Sequence, residues 1–151
     1  MAILAGQIVT ADQLNHLQPM RYYAQGTTPF SISTTTFVAI PNCSITLSTD
    51  TAAVYSVQAN FSYHVTTPAA TVFTRGALFL DGAQLSGESR WSEGSTGMDA
   101  SDFNMAPKAW GGTLSAAGTH TFDLRAAVSS AGLVYDSTGF TDITVVIYEI
   151  V

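Results

Sequence analysis

The chain has 151 residues, the size of one domain, and carries a net charge of −6 from 5 basic and 11 acidic residues. Only 11% of the residues are charged while 46% are hydrophobic, so the polar residues are largely uncharged and include 15 Ser and 20 Thr. This composition excludes a disordered chain, and no apolar run approaches the roughly 18 residues of a membrane span. The five cations stand singly along the sequence, which argues against binding to nucleic acid or to an anionic membrane surface.

The first predicted element is a short helix that begins at Thr10. Thr10-Ala-Asp-Gln13 fits a capping box, in which the Thr10 and Gln13 side chains satisfy free backbone N–H groups. Leu14 and Leu17 then share one face, and Pro19 ends the helix after about two turns. Because so short a helix is marginal alone, it must dock, either on its own domain or on a partner or sister subunit.

The segment before the predicted β domain indicates an extended arm, since residues 20–35 are rich in Tyr, Gly and Thr and contain Pro29. We therefore predict an N-terminal anchor helix and arm over 1–33 and a β-sandwich head over 34–151. Residues 1–6 have no basic stretch ahead of their apolar residues, so we expect no signal peptide. Cys43 is the single cysteine, which leaves core packing or oligomerisation to hold the fold.

From residue 36 onward the pattern predicts strands. The clearest is Val54–Val65, in which apolar and polar residues alternate, as expected for a strand with one face in a core. Asp81-Gly82 is a tight-turn signal. The other predicted strands are Thr36–Ile40 and Ser44–Ser48, separated by a turn at Pro41-Asn42, then Thr71–Leu80 with a return strand at Ala83–Ser86, Thr119–Val128 and Ile143–Val151.

Two predicted strands, Thr71–Leu80 and Ile143–Val151, are apolar on both faces. Each sheet of a sandwich buries only one face, so these strands imply a further covering layer. A neighbouring subunit is the simplest such layer, and a loop or arm of the same chain is the alternative. The candidate residues for an interface between subunits are Phe73, Phe79, Val146, Tyr148 and Ile150.

Between Ser86 and Gly112 the alternation weakens, which is typical of a binding loop or a subunit contact. Trp91 and Trp110 are candidate stacking platforms for a sugar, although each ring fits a core or interface position equally well. Glu93 is a further candidate ligand residue in the same segment. Three tyrosines elsewhere in the sequence extend this set of candidates: Tyr22, Tyr23 and Tyr135.

The acidic residues of this segment leave three alternatives open. They could form the carboxylate pair of a glycosidase, bind Ca²⁺, or simply be solvated. The residues are Glu88, Glu93, Asp99 and Asp102. The sequence contains no nucleotide-binding or hydrolase motif, and its three histidines, at 16, 64 and 120, have no context that suggests a catalytic base. We therefore predict a protein that is not an enzyme and needs no cofactor or metal.

Several segments together resemble jelly-roll domains of the complement C1q and tumour-necrosis-factor type. Residues 52–61 resemble their central strand, Leu78–Gly82 their hairpin, 114–124 the loop entering their penultimate core strand, and 144–151 their terminal strand. The resemblance implies an all-β, antiparallel two-sheet jelly-roll sandwich. Such domains characteristically form trimers, so it also implies a homotrimer.

The segment Ala5–Asn15 resembles the leader of many small structural proteins of tailed bacteriophages and prophages. This resemblance implies a virion surface protein, either a capsid decoration or head fibre or a small tail spike, held by a major capsid or tail protein. The absence of a shaft repeat favours a compact decoration or spike. An adhesin that binds a host-surface glycan or receptor through residues 86–112 is the alternative. The candidate anchoring residues are Ile8, Thr10, Gln13, Leu14, Leu17, Tyr22 and Tyr23.

Overall fold

A computed structural model describes residues 11, 18–65, 73–91, 104–129, 135–137 and 140–150. Within these ranges the chain forms strands joined by turns, and the predicted N-terminal helix lies almost wholly outside them. The strands are β1 (Met20–Gln25), β2 (Phe30–Ile32), β3 (Val38–Thr49), β4 (Ala53–Val65), β5 (Thr74–Leu80), β6 (Ala83–Gln84), β7 (Ser89–Trp91), β8 (Asn104–Leu114), β9 (Gly118–Val128), β10 (Tyr135–Ser137) and β11 (Asp142–Glu149).

The strands form two antiparallel sheets that enclose one hydrophobic core. The six-stranded sheet has the order β1-β11-β4-β10-β2, with β8 also paired to β4. The five-stranded sheet has the order β3-β9-β5-β6, with β7 also paired to β5. The buried residues of both sheets belong to one cluster. The predicted all-β jelly-roll sandwich is confirmed.

Strand β4 forms the centre of the core, as its alternating pattern predicts. Tyr55, Val57 and Phe61 point inward and are 5% exposed or less, whereas Val54 on the opposite face is 42% exposed. The Tyr55 ring meets Phe122 of the five-stranded sheet edge to face, with the ring centroids 5.2 Å apart. Burial of one face of β4 therefore ties the two sheets together.

The predicted tight turn between β5 and β6 is present. Asp81 and Gly82 both have positive φ, 52° and 82°, as a two-residue type I′ turn requires. This turn reverses the chain so that Phe79 lies opposite Gln84.

The predicted turn at Pro41-Asn42 is wrong, because β3 runs without interruption from Val38 to Thr49. Its pairing with β9 shifts register between Ala39 and Ser44, and Asn42 has a φ of 62°. These are the features of a β-bulge, which absorbs turn-forming residues within a strand. Since β3 lies at the edge of its sheet, Pro41 is tolerated there.

The predicted irregular segment 86–112 is also wrong in its second half, where β8 pairs with β4 at eleven consecutive positions. Among the described strands, β8 pairs with β4 alone and so lies at an edge. The sequence pattern does not predict this strand, because Pro107, Gly111 and Gly112 interrupt the run of β-forming residues.

Part of the predicted arm contributes to the six-stranded sheet. β1 pairs with β11 at six positions, and β2 pairs with β10. The Gly26 N–H donates a hydrogen bond to the Thr141 carbonyl, 2.8 Å away. The arm is therefore extended, as expected, and its strands belong to the sheet; the boundary at residue 33 between arm and head stays a prediction.

Candidate interaction surfaces

The outer face of the six-stranded sheet collects most of the exposed apolar side chains among the described residues. We call the set Tyr23, Val54, Tyr148 and Ile150 the apolar face; Met105 is also exposed, but it lies opposite Ser62, eight residues along β4 from Val54. The exposed fractions of these side chains lie between 42% and 57%. Two other large hydrophobic residues are exposed among the described residues. Phe140, which precedes β11, is 62% exposed, and Val38, at the start of β3, is 42% exposed.

Strand register brings the members of the apolar face together. Tyr148 of β11 lies directly opposite Val54 of β4, and Val146 lies opposite Ser56 on the same side. Tyr23 of β1 lies opposite Thr144 on the other flank of β11. The sequence identified Val146, Tyr148 and Ile150 as interface candidates. It missed Val54, whose position only the strand pairing reveals.

The other end of this sheet face is polar. The Asn60 amide donates hydrogen bonds to both carboxylate oxygens of Asp142, at 3.1 and 3.2 Å. A cleft of about 290 Å³ lies beside this pair, between β4 and β8, and is lined by Gln58, Asn60, Pro107 and Lys108. This end of the face is therefore polar, and the exposed Arg21, opposite Val146, lies among the side chains of the apolar face.

The outer face of the five-stranded sheet carries a different chemistry. Three guanidinium groups each lie over a phenylalanine ring, within the distance of a cation–π interaction. We call this set the arginine face: Arg75 over Phe37 at 4.8 Å, Arg90 over Phe73 at 5.2 Å and Arg125 over Phe79 at 4.1 Å, measured from guanidinium carbon to ring centroid.

The arginine face explains the two-faced pattern of β5. Phe79 points away from the core, yet it is only 9% exposed, because Arg125 covers its ring and Phe37 packs edge to face against it, with centroids 5.7 Å apart. The cover over Phe79 therefore comes from this chain: Phe37, just before β3, fits the alternative of a loop or arm of the same chain, and Arg125 of β9 supplies the rest. Phe73 and Phe79 lie on the side of the sandwich opposite to Tyr148.

Trp91 and Trp110 are core residues, 7% and 8% exposed. The Trp91 ring packs against Phe61 and Tyr63, with centroids 5.5 and 4.9 Å apart. The Trp110 indole N–H donates a hydrogen bond to the Gly87 carbonyl, 2.7 Å away. Inward-facing positions on β7 and β8 bury both rings, so neither presents a face to a sugar as the stacking hypothesis requires.

The predicted anchoring tyrosines occupy different environments. Tyr22 is half-buried, and its hydroxyl contacts the Met20 sulfur at 3.6 Å, whereas Tyr23 is 57% exposed. The other anchoring candidates, Ile8, Thr10, Gln13, Leu14 and Leu17, lie outside the described residues, and so does the Tyr135 side chain.

Of the four candidate acids, Glu88 is the one that the structure describes. Its carboxylate forms ion pairs with Arg75 at 3.5 Å and with Arg90 at 3.2 Å. Glu93, Asp99 and Asp102 lie outside the described residues. Among the residues described, no three His, Cys, Asp or Glu side chains are placed to hold a metal ion. No helix in the described part of the chain is long and apolar enough to cross a membrane.

His120 serves a structural contact at the β5–β6 turn. Its Nδ1 lies 2.8 Å from Asp81 Oδ2, and the Thr121 N–H donates to Asp81 Oδ1 at 2.7 Å. Burial raises the pKa of Asp81, but the hydrogen bonds from His120 and Thr121 and the charge of His120 outweigh it, so this pKa lies below its ordinary value. His16 and the His64 side chain lie outside the described residues.

The arrangement of the two sheets defines a jelly-roll sandwich, and solved structures of two kinds share it. Eiger TNF from S. frugiperda matches with a TM-score of 0.54 and 14% identity, over 88% of this chain and 93% of that chain. Infectious bursal disease virus, Gt strain, matches with a TM-score of 0.52 and 15% identity, over 98% of this chain. The infectious bursal virus derived T=1 particles match with a TM-score of 0.52 and 13% identity, also over 98%.

This chain spans only 36% and 35% of the two viral chains, but 93% of the TNF chain. No protein-family model and no curated protein matches the sequence. At these identities the similarity establishes the fold: a jelly roll like that of a TNF and of proteins from a virus particle.

Proposed function

We propose that this chain is a non-enzymatic structural protein on the surface of a tailed-bacteriophage particle, as a capsid decoration, head fibre or small tail spike. Three copies associate through the apolar face, and the N-terminal segment attaches the trimer to a major capsid or tail protein. The fold, shared with chains of infectious bursal disease virus, supports a role in a virion. The leader-like segment Ala5–Asn15 supports a phage.

The observation that carries the proposal is the concentration of exposed apolar residues on one sheet face. Tyr23, Val54, Tyr148 and Ile150 are each at least 42% exposed there, in a chain in which only 11% of residues are charged. Exposed apolar side chains that gather on one face of a domain favour an interaction site. The resemblance to C1q and TNF-type domains supports three copies. Phe79 is not part of this interface, because Phe37 and Arg125 of the same chain already cover it.

Sedimentation equilibrium tests the trimer. We expect three times the chain mass of 15.9 kDa for the native protein. Tyr148→Lys and Val54→Lys each place a charge in the apolar face and should shift the protein to monomer, since burying an unpaired charge is costly. Ser44→Lys on the outer face of the five-stranded sheet is the matched control and should stay trimeric. A native chain that remains monomeric at high concentration contradicts the proposal.

Deletion of residues 1–18 tests the attachment. β1 begins at Met20, so this deletion keeps every strand of the described sheets. The shortened chain should fold and form the same oligomer, but it should not be recovered with purified particles that retain the full-length chain. Equal recovery of the two chains would remove the anchoring role of the N-terminal segment while leaving the trimer untouched.

A further inference from the structure

The arginine face gathers three of the five cations of a chain whose net charge is −6. Arg75 of β5 lies directly opposite Arg90 of β7. Arg125 of β9 lies opposite Ala77, two residues along β5, and so sits diagonally beside Arg75. Cations that stand singly in the sequence thus form one strip across three strands. Repulsion between these like charges is offset by Glu88, which pairs with Arg75 and Arg90, and by Asp123, which pairs with Arg125.

Arg90 and Arg125 are each bound through Nε, which leaves their terminal nitrogens available to a ligand. Arg90 Nε is 3.2 Å from Glu88 Oε2, and Arg125 Nε donates to Asp123 Oδ2 at 2.7 Å. Within the described part of the chain, the terminal nitrogens of these two arginines make no hydrogen bond. Each of the two groups also lies over a phenylalanine ring, a contact that restricts its motion and so lowers the entropic cost of binding a ligand. Glu88 and Asp123 leave the strip with one positive charge in excess.

Beside the strip, outward positions of β3 and β9 carry hydroxyl groups. Thr46 and Thr121 hydroxyls lie 3.0 Å apart, and those of Ser48 and Thr119 lie 3.1 Å apart; all four face solvent on β3 and β9. None of the exposed large hydrophobic residues described belongs to this face. A protein partner usually needs an apolar interface centre. A face of guanidinium and hydroxyl groups instead matches a ligand that carries both carboxylates and hydroxyls.

We propose that the arginine face binds a carboxylated polysaccharide, with Arg90 and Arg125 contacting its carboxylates and the Ser and Thr hydroxyls its sugar hydroxyls. Arginine favours this role because its planar fork matches a carboxylate. The inference goes beyond the structural role proposed above and does not depend on it. The two sheets turn their outer faces in opposite directions, so association through the apolar face leaves the arginine face exposed.

Isothermal titration of the full chain with alginate, a polyuronate, at low ionic strength tests the proposal. Alginate should bind, neutral dextran should not, and added salt should weaken the binding. Arg90→Gln and Arg125→Gln should each raise the Kd about tenfold, the loss expected for one charge-assisted hydrogen bond. Arg21→Gln removes a cation from the outer face of the other sheet, beside the apolar face; it is the matched control, with an unchanged Kd for protein that sediments as the native chain does. The Arg90 side chain is 62% exposed, so its variant keeps the fold even where Arg125→Gln fails to do so.

Three results would overturn the proposal. The first is no binding of alginate to the native chain. The second is an equal loss of affinity in Arg21→Gln and Arg90→Gln, which would show that binding depends on the total charge of the chain and not on the arginine face. The third is tighter binding of polyglutamate than of alginate, which would assign the face to an acidic polypeptide. None of these results bears on the sedimentation of the chain, so this test and that of the trimer fail separately.

Discussion

The Phe61 ring lies directly on the backbone of Gly76. A Cβ atom at position 76 would come within 2.6 Å of the Phe61 ring carbons, closer than real Cβ atoms approach a neighbour. Phe61 is fully buried and packs against Trp91 and Trp110, at centroid distances of 5.5 and 6.5 Å. The glycine therefore makes room for the aromatic cluster that joins β4 to β5, β7 and β8.

Gly76→Ala should lower the free energy of unfolding by about 1–3 kcal/mol, because the added methyl group overpacks this site. Urea denaturation measures the change. Gly111→Ala is the matched control, since its nearest neighbour, the Tyr55 carbonyl oxygen, would be at an ordinary 3.5 Å. Phe61→Leu in the Gly76→Ala background should cost less than the two changes summed. Equal stability of Gly76→Ala and the native chain would show that the ring is not confined.

Asp81 should make stability depend on pH in the acid range. Because its pKa is lowered in the folded state, the stabilisation is fully present above the ordinary aspartate pKa and is lost as the pH falls through the folded-state pKa. The difference in unfolding free energy between the native chain and Asp81→Asn should be largest above about pH 5 and shrink below about pH 4. Asn tolerates the positive φ at this position.

Asp50→Asn provides the control for the Asp81 experiment, because it removes one negative charge from an exposed turn. Thermal unfolding followed across the pH range compares the two variants. The role given to Asp81 is wrong if its variant and the Asp50 variant follow the same pH dependence.

Cys43 should be unreactive in the native protein. Burial raises the pKa of its thiol to about 12, and the Sγ donates to the Thr141 carbonyl at 3.3 Å. At pH 8 the thiol is therefore neutral, and the thiolate is the reactive form. A thiol-specific chromogenic reagent should label no cysteine in the folded chain and one after denaturation. Rapid labelling of the native chain would contradict the described position of β3.

Trp110→Phe should destabilise the fold by about 1–2 kcal/mol, because it removes the indole hydrogen bond to the Gly87 carbonyl and part of a buried ring. Chemical denaturation measures the loss. The affinity of alginate should not change, since Trp110 lies in the core rather than on the arginine face. A loss of polysaccharide binding at native stability would instead restore Trp110 as a candidate ligand platform.

The sequence predicts the fold wherever local pattern and burial agree. Val54–Val65 alternates because one face of β4 is fully buried, and Asp81-Gly82 suits only a turn with two positive φ values. The sequence does not predict the bulge in β3 or the edge strand β8. Both contain Pro or Gly, which indicate a turn or a loop unless the pairing with the neighbouring strand is known.

The surfaces are harder to predict than the strands. Periodicity assigns Tyr148 and Phe79 equally to a layer outside the core, but only the tertiary structure places Phe37 and Arg125 over Phe79 and leaves Tyr148 exposed. The arginine face also has no signal in the sequence. Its cations are 15 and 35 residues apart, as the numbers 75, 90 and 125 show, and the strand register alone brings them together.

Edge strand β8 also limits how copies of this protein can join. Pro107 is the fourth of its eleven residues and lacks an N–H, and the neighbouring Lys108 is charged. A strand so interrupted is a poor template for another strand, so β8 does not readily continue its sheet into that of a second molecule. The proline in β8 therefore protects this edge of the sandwich against the strand-on-strand stacking that builds open-ended fibrils.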